Sequence, residues 1–366
     1  MIATILITAV IIYFIQLIIL RIGMNIADRA SIVEHYEPKV SIIVAARNEE
    51  NFINDCLVSL VQLEYPIEKL EIIIVNDGST DKTPEIIQTY LKAYSNMRTL
   101  STTQGDGNLR GKTNAIAQGL AASNGEIIMF TDADCRVPVG WVREIVKYFD
   151  TTTGIVGGFT LLDARRPFEG MQSLDWFFLF GLASSTVGWD IPLTVIGNNL
   201  SISRKAYNET GGFQSIPFSV TEDYALVQAM LQRTKYKIKF PVNPNTLVRS
   251  RACQSLNHLY RQKQRWGVGG LDMVVRGLLI TAVGWIAKFC LLVGLFYSSL
   301  IIWLTAFFIM LFGELIFLLK PLRKLGTINY LKHFPFFIVY FFIYVLVLPI
   351  VAYTSKKVIW KERDLN

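Results

Sequence analysis

The sequence predicts an α/β domain on a mostly parallel sheet, flanked by transmembrane helices, and three observations carry that prediction. Charge is scarce, since 18% of the 366 residues are charged, against about 25% in ordinary soluble domains. It is also unevenly placed, with most of it between residues 36 and 266 and long uncharged runs near both ends. Between those ends, short β-branched runs alternate with segments of helical spacing. A hydrophobic content of 52% and a mean hydropathy of +0.37 exclude a disordered chain and a wholly soluble enzyme. The four cysteines lie far apart without a C-x-x-C pair, which excludes a disulfide scaffold. His35, His258 and His333 lack the spacing of a zinc site. Any metal is therefore expected on oxygen ligands.

Ile2 to Leu20 is a run of 19 residues without charge. At 1.5 Å rise per residue such a helix just crosses a hydrocarbon core. No basic segment precedes it and no small-residue cleavage site follows, so residues 1–21 read as a retained anchor. Arg21 and Arg29 follow the span, which places the N-terminus outside and the next domain in the cytoplasm of a multi-pass cell (inner) membrane protein. Further on, Gly277 to Leu319 is broken only by Lys288 and Glu314, and fits two helices or one helix with an interfacial segment. Phe334 to Thr354 adds another span, making three or four crossings in all. The expected division is an interfacial amphipathic segment over 267–285, a transmembrane region over 286–355 and a basic tail over 356–366. Basic clusters lie on both sides of the last span (Lys320, Arg323, Lys324 and Lys332 before it; Lys356, Lys357, Lys361 and Arg363 after), so charge counting leaves the topology there open.

In the middle of the chain, Val40–Ala45 and Glu71–Val75 are β-branched runs that predict buried strands. Glu49–Leu60 has helical spacing. After Asn76-Asp-Gly-Ser79, Thr80 or Asp81 is expected to cap a helix through Ile86, Ile87 and Leu91. Met97–Leu100 predicts a weak strand, Gly111–Ala122 a helix and Glu126–Phe130 the strongest strand. Strands and helices in this alternation imply right-handed crossovers and a parallel sheet. Ligands of such sheets bind beyond the carboxyl ends of the strands.

Polar clusters fall at those ends: Ala46-Arg-Asn-Glu-Glu50, Asn76-Asp-Gly-Ser79 and Thr131-Asp-Ala-Asp-Cys135. Asp132 and Asp134, spaced i, i+2, can reach one hard cation, Mg²⁺ or Mn²⁺, with a bound phosphate; an ordinary capping turn is the alternative. Gly105 to Thr113 imitates a P-loop, but Asp106 stands where that pattern needs glycine, and no G-x-G-x-x-G follows any strand. Lys112 reads as a cation for a diphosphate or as a solvated side chain. Thr221-Glu-Asp223 precedes a helix expected to start near Tyr224, so Asp223 is a candidate functional carboxylate or a cap. In Gln262-Lys-Gln-Arg265-Trp266, Arg265 can fork onto phosphate and Trp266 can offer a stacking face; a basic amphipathic stretch at a membrane surface is the alternative.

A-R-N-E-E, V-N-D-G-S, G-K-x-x-A, D-A-D, T-E-D and Q-x-x-R-W in this order resemble the inverting family 2 glycosyltransferases of GT-A fold, over about Val40 to Trp266. Flanking membrane spans match the membrane-bound, synthase-like and lipid-glycosylating members. Arg47 departs from many members, which carry an aromatic residue there. The resemblance implies a GT-A domain over 36–266, with Arg47, Glu49 and Asp77 at the nucleoside and Lys112 at the diphosphate. Asp132 would lie at the ribose and diphosphate, and Asp134, with Asp132, would hold Mg²⁺ or Mn²⁺. Asp223 would be the general base, its pKa raised by Glu222. Arg265 would stabilise the leaving diphosphate, with Gln262, Trp266 and Asn198 (in Gly197-Asn-Asn-Leu200) on the acceptor side. The implied reaction moves a sugar from a nucleotide sugar, a UDP-sugar first, to a lipid or lipid-linked acceptor at the bilayer, with no nucleic-acid partner. Polysaccharide synthesis, nucleotidyl transfer and a non-catalytic membrane scaffold are the alternatives.

Overall fold

Runs of Ile and Val with no polar interruption form the centre of the sheet, and the glycine and acidic breaks after them form its functional edge. The structure is a computed structural model that describes residues 1–354 and the backbone of Ile359–Trp360 and Arg363–Asp364. The tail expected over 356–366 otherwise lies outside the described residues. In chain order, α1 (Ile2–Ala27) precedes β1 (Val40–Ala46), α2 (Ile53–Val61), β2 (Leu70–Asn76), α3 (Thr83–Leu91) and β3 (Met97–Ser101). Then come α4 (Gly111–Ala122), β4 (Ile127–Asp132), α5 (Trp141–Val146), β5 (Thr153–Gly157), β6 (Thr160–Asp163) and α6 (Pro167–Gly188). β7 (Leu200–Ser203), α7 (Arg204–Glu209), α8 (Gly212–Ser215), α9 (Glu222–Arg233), β8 (Lys237–Lys239) and β9 (Val248–Arg251) follow. The chain continues through α10 (Leu256–Gly269), α11 (Val275–Tyr297), α12 (Leu300–Lys324) and α13 (Phe334–Thr354).

These elements group into two compact units. One comprises Asp28–Leu161 and Thr194–Arg251; the other gathers Met1–Ala27, Leu162–Leu193 and the chain from Ala252 through the last membrane helix. The continuous domain expected over 36–266 is therefore corrected: α6 and α10 belong with the membrane helices, not with the sheet.

The sheet runs in the order β3-β2-β1-β4-β7-β5-β8. β1, β2, β3 and β4 pair in parallel, while β7 runs antiparallel between β4 and β5. The register sets Ala46 beside Asn76, and Ala45 beside Asp132. The carboxyl ends of three strands are thus level, and their polar clusters share one edge. Beneath that edge, Ile42, Val44, Ile72, Ile74 and Met129 pack with Cys56 and Leu57 of α2 and with Trp141 and Ile145 of α5. α4 crosses the sheet at Gly119, where a Cβ would come within 2.7 Å of Ile43 and 2.9 Å of Val75, so a glycine is needed for that approach. Helix α3 is not capped as expected: its N-cap is Lys82, and Asp81 accepts the Thr83 N–H at 3.0 Å.

In the second unit, four helical segments are long and apolar enough to cross a membrane: Ile2–Ala27, Val275–Tyr297, Leu300–Lys324 and Ile328–Thr354. The anchor extends six residues beyond the expected 21. The stretch Gly277–Leu319 resolves into two helices broken at Ser298 and Ser299, the Ser299 hydroxyl accepting the Ile302 N–H of the new helix at 3.4 Å. The interfacial segment expected over 267–285 is corrected, because α11 runs unbroken from Val275 to Tyr297. Helix α6 was not anticipated. It is apolar on nearly every side, so it has no amphipathic period to read. It starts where Glu169 accepts the backbone N–H groups of Arg165 and Arg166 at 2.7 and 3.1 Å. α1 meets α6 through Gly23 and Gly188, each without room for a Cβ against the other helix, the small-residue contact that lets membrane helices approach closely.

Lys288 and Glu314, the two charges that interrupt the long apolar run, form an ion pair with both side chains 1% exposed. The Tyr13 hydroxyl of α1 donates to the same Glu314 oxygen at 3.1 Å. The Lys288 ammonium lies 4.7 Å from the ring centroids of Tyr13 and of Phe341 on α13. Four helices therefore converge on one cation. Removing one partner leaves the other charge buried, which costs about 3–5 kcal/mol, whereas replacing both by apolar residues is often near neutral. Lys288→Met is expected to lower stability by about that amount, with Lys288→Met/Glu314→Met recovering most of it, as read from unfolding of the purified protein in detergent.

Candidate active site

Where β1 ends, Asn48 takes the left-handed conformation at φ 51°, and its side-chain oxygen accepts the Thr80 N–H at 2.9 Å. This turns the loop so that Arg47 reaches across to the end of β2, where its guanidinium donates to the carbonyls of Asp77 at 2.7 Å and Gly78 at 3.1 Å. Asp77 is 3% exposed and accepts the Thr102 hydroxyl at 3.0 Å. The Glu49 N–H donates to the Thr83 hydroxyl at 2.8 Å. Arg47, Glu49 and Asp77, the expected nucleoside group, thus converge on the ends of β1 and β2. Asn48 was not singled out; its side chain acts through conformation, which its type alone does not announce.

At the end of β4 the chain turns at Ala133–Asp134, the Cys135 N–H donating to the Asp132 carbonyl at 3.0 Å, and burial alternates. Ala133 and Cys135 enter the core at 1% and 0% exposure, so Asp132 and Asp134 project to the other side. Ligand atoms of Asp132, Asp134 and Cys135 lie within 4.8 Å of one another. The two carboxylates are hard donors that suit Mg²⁺ or Mn²⁺. The Cys135 thiol donates to Asp134 at 3.4 Å, and burial foremost, then the Asp134 and Asp132 charges, pushes its pKa well above the usual thiol range. It stays protonated and is no competitor for a hard ion. The site therefore fits a cation held by Asp132 and Asp134 and completed by substrate oxygens.

Lys112, in the first turn of α4, is not a solvated lysine. Its ammonium meets Asp132 at 2.7 Å and Glu222 at 3.0 Å. Burial works to lower its pKa, and the Asp132 and Glu222 carboxylates outweigh that effect and hold it above the usual lysine range. This cation connects the β4 end to the start of α9, and so joins the D-A-D and T-E-D motifs in one constellation.

Asp223 is not the cap of its helix. Thr221 is the N-cap, and α9 starts at Glu222 rather than near Tyr224. The Asp223 carboxylate accepts the Gly197 N–H at 2.7 Å and the Tyr224 N–H at 2.8 Å. Its pKa is pushed up to about 6, by burial first and by the neighbouring Glu222 charge second, against the opposing charge of Lys112. Gly197 is close enough that a Cβ there would sit 3.3 Å from the Asp223 carboxylate oxygen. The Gly197 amide that holds this carboxylate has no side chain to announce it in the sequence.

Asn198 does not present itself to an acceptor as expected. It is 3% exposed and its side-chain oxygen accepts the Thr160 hydroxyl at 3.1 Å. Asn199 binds the Phe159 and Thr246 carbonyls and accepts from the Trp141 indole at 3.0 Å. Both asparagines shape the turn that aims the Gly197 amide at Asp223.

Gln262, Arg265 and Trp266 lie on α10, in the membrane-helix unit. Ser255 starts that helix by accepting the His258 N–H at 3.2 Å. The stacking face expected of Trp266 is already covered on one side: the Lys263 ammonium sits 4.1 Å from its ring centroid, and the Trp176 ring packs at 5.6 Å. Gln262 retains a buried side-chain oxygen without a partner among the described residues.

Comparison with known proteins follows this geometry. A beta-monoglucosyldiacylglycerol synthase of Synechocystis sp. is 28% identical over 262 residues, covering 69% of this chain and 52% of that protein. A poly-beta-1,6-N-acetyl-D-glucosamine synthase of Staphylococcus epidermidis is 28% identical over 249 residues, covering 66% and 57%. The chain spans about half the length of these curated relatives. The mannosyltransferase PcManGT of Pyrobaculum calidifontis, solved with GDP-Man and Mn²⁺, matches with a TM-score of 0.62 at 20% identity, over 92% of this chain and 98% of that one. That likeness shows the shared GT-A fold. The pattern of Glycosyl transferase family 2 matches residues 41–224, from the first core strand through the T-E-D cluster, and the chain belongs to that family.

Proposed function

We propose that the protein is an inverting glycosyltransferase that moves a sugar from a nucleotide sugar, a UDP-sugar first, to a lipid or lipid-linked acceptor. The observation that carries this reading is the Asp223 carboxylate. It is held by two backbone amides, its pKa is about 6, and it stands beside a Lys112–Asp132–Glu222 cluster at the carboxyl end of the sheet. A carboxylate so placed is ionised near neutral pH yet basic enough to accept an alcohol proton as the bond forms. Asp223 takes that proton while the acceptor oxygen attacks the anomeric carbon from the face opposite the leaving diphosphate, which inverts the centre in one displacement. Lys112 moves its charge from the carboxylates to the diphosphate oxygens. Arg47, Glu49 and Asp77 hold the nucleoside, Arg265 meets the leaving diphosphate, and Gln262 and Trp266 border the acceptor. A Mg²⁺ or Mn²⁺ ion on Asp134 and Asp132 supplies charge stabilisation for the leaving group when bound.

Four crossings agree with the charge of the two helix connections, while the basic residues after α13 do not follow the same bias. The α11–α12 connection carries no charge, while the α12–α13 connection follows Lys320, Arg323 and Lys324 and contains Lys332. Positive residues stay cytoplasmic. With α1 entering from outside, the sheet unit and the α12–α13 connection both fall on the cytoplasmic side of the cell membrane. A lipid acceptor then arrives by lateral diffusion, and diacylglycerol, named in the Synechocystis relative, is the first to test. The Staphylococcus epidermidis relative supports a second reading, extension of a glycan.

The test is incubation of membranes with radiolabelled UDP-glucose and UDP-N-acetylglucosamine, followed by organic extraction. Label in a discrete lipid is expected. Label only in high-mass aqueous glycan replaces the lipid with the glycan reading, and release of pyrophosphate instead of nucleoside diphosphate overturns glycosyl transfer altogether.

A further inference from the structure

Lys263 lies inside the Gln262–Trp266 motif but is buried, at 6% exposure. Leu259, Lys263 and Gly267, on successive turns of α10, are buried, as is Gly269. A lysine in the middle of a buried face is costly unless its charge is matched. Here it is matched: the ammonium pairs with the Asp175 carboxylate of α6, the two side chains being 7% and 5% exposed. The Tyr340 hydroxyl of α13 donates to the same Asp175 oxygen at 3.3 Å. The ammonium also lies 4.1 Å from the Trp266 centroid and 4.7 Å from that of Tyr344.

We infer that the buried Asp175–Lys263 pair is a brace that sets the rotation of α10, and that Asp175 and Lys263 are positioning residues for the transfer reaction. The inference rests on the reading above, in which Arg265 meets the diphosphate and Gln262 the acceptor. An apolar side chain at 263 fills the same volume, but apolar packing tolerates several rotations of a helix. An ion pair and two ring contacts on one ammonium, with a tyrosine hydrogen bond on its carboxylate partner, specify a single rotation. Gln262 and Arg265 flank Lys263 on the same turn, so any rotation of α10 displaces both together. A displacement of about 1 Å in such groups can lower a rate by about 10²-fold. The brace also explains why the motif tryptophan turns inward: its ring is one wall of the cage around Lys263.

The experiment uses the full chain in detergent with Mn²⁺ and dioleoylglycerol micelles. UDP-glucose, UDP-N-acetylglucosamine, UDP-galactose and GDP-mannose serve as donors, and nucleoside diphosphate release is the readout. Asp175→Asn and Lys263→Met each strand one buried group and are expected to lower both Tm and kcat. The deciding variant is Asp175→Asn/Lys263→Met, which removes both charges. It is expected to regain most of the lost Tm while kcat stays about 10–100-fold down, with donor KM within about threefold of wild type. A double variant whose kcat returns with its Tm makes the pair structural only and overturns the inference, leaving the proposed function intact. A wild type inert with all four donors removes the proposed function and this inference with it.

Discussion

Asp223→Asn is expected to lower turnover by about 10²–10⁴-fold, the usual contribution of a general base, while the affinity for UDP with Mn²⁺ stays near the wild-type value. The amide keeps the size of the carboxylate, and its one oxygen can still accept either the Gly197 or the Tyr224 N–H, which the two carboxylate oxygens accept separately in the wild type. What is lost is a proton acceptor. The pH profile supplies the second half of the test. Burial and the Glu222 charge disfavour the ionised form of Asp223, and ionisation waits until about pH 6. The active form is the carboxylate, so wild-type kcat/KM should rise with pH through about 6 and level off above it, and the residual activity of the variant should lack that step. Normal turnover in Asp223→Asn would reduce this residue to a partner for the Gly197 amide.

Asp134→Ala is expected to reduce transfer to background, with chelation by EDTA doing the same to wild type and Mg²⁺ or Mn²⁺ restoring it. Of the two carboxylates, Asp132 already has a partner in Lys112 at 2.7 Å. Asp134 accepts the weak Cys135 thiol donor at 3.4 Å. Because Ala133 and Cys135 anchor the strand end in the core, trimming Asp134 should leave the fold and Tm intact. Full activity in EDTA would refute the metal assignment.

Much of this architecture was legible in the residue order. The strands Val40–Ala46, Leu70–Asn76 and Ile127–Asp132 declared themselves because buried parallel strands are uninterrupted β-branched runs. Helix α4 matched its predicted bounds because its ends are marked by local polarity. The clusters after those strands were readable as functional because a parallel sheet leaves its carboxyl ends open to ligands. Local signals also marked the first and last apolar spans, which need nothing beyond length and composition, but left Gly277–Leu319 open between two helices and one helix with an interfacial segment.

What the tertiary structure decided concerns contacts between residues far apart in sequence. Helix α6 carries no amphipathic stripe, so only its burial among α1, α12 and α13 identifies it. Lys112, readable as a surface lysine, became the cation between Asp132 and Glu222, partners 20 and 110 positions away. Asn198 looked like an acceptor contact and proved to be a buried support of its turn, while the amide that holds Asp223 belongs to Gly197, a residue with no side chain to notice. The stretch holding Lys263 and Trp266 read as basic and stacking, yet Lys263 pairs with buried Asp175 and the Trp266 ring packs on Lys263 and Trp176. The sequence by itself determined which segments are strands, which can enter a bilayer and which chemistry lies at the strand ends, because periodicity and composition are local properties. The pairing of buried charges, the aim of a carboxylate and its acidity come from burial and from distant neighbours, and these exist only once the chain is folded.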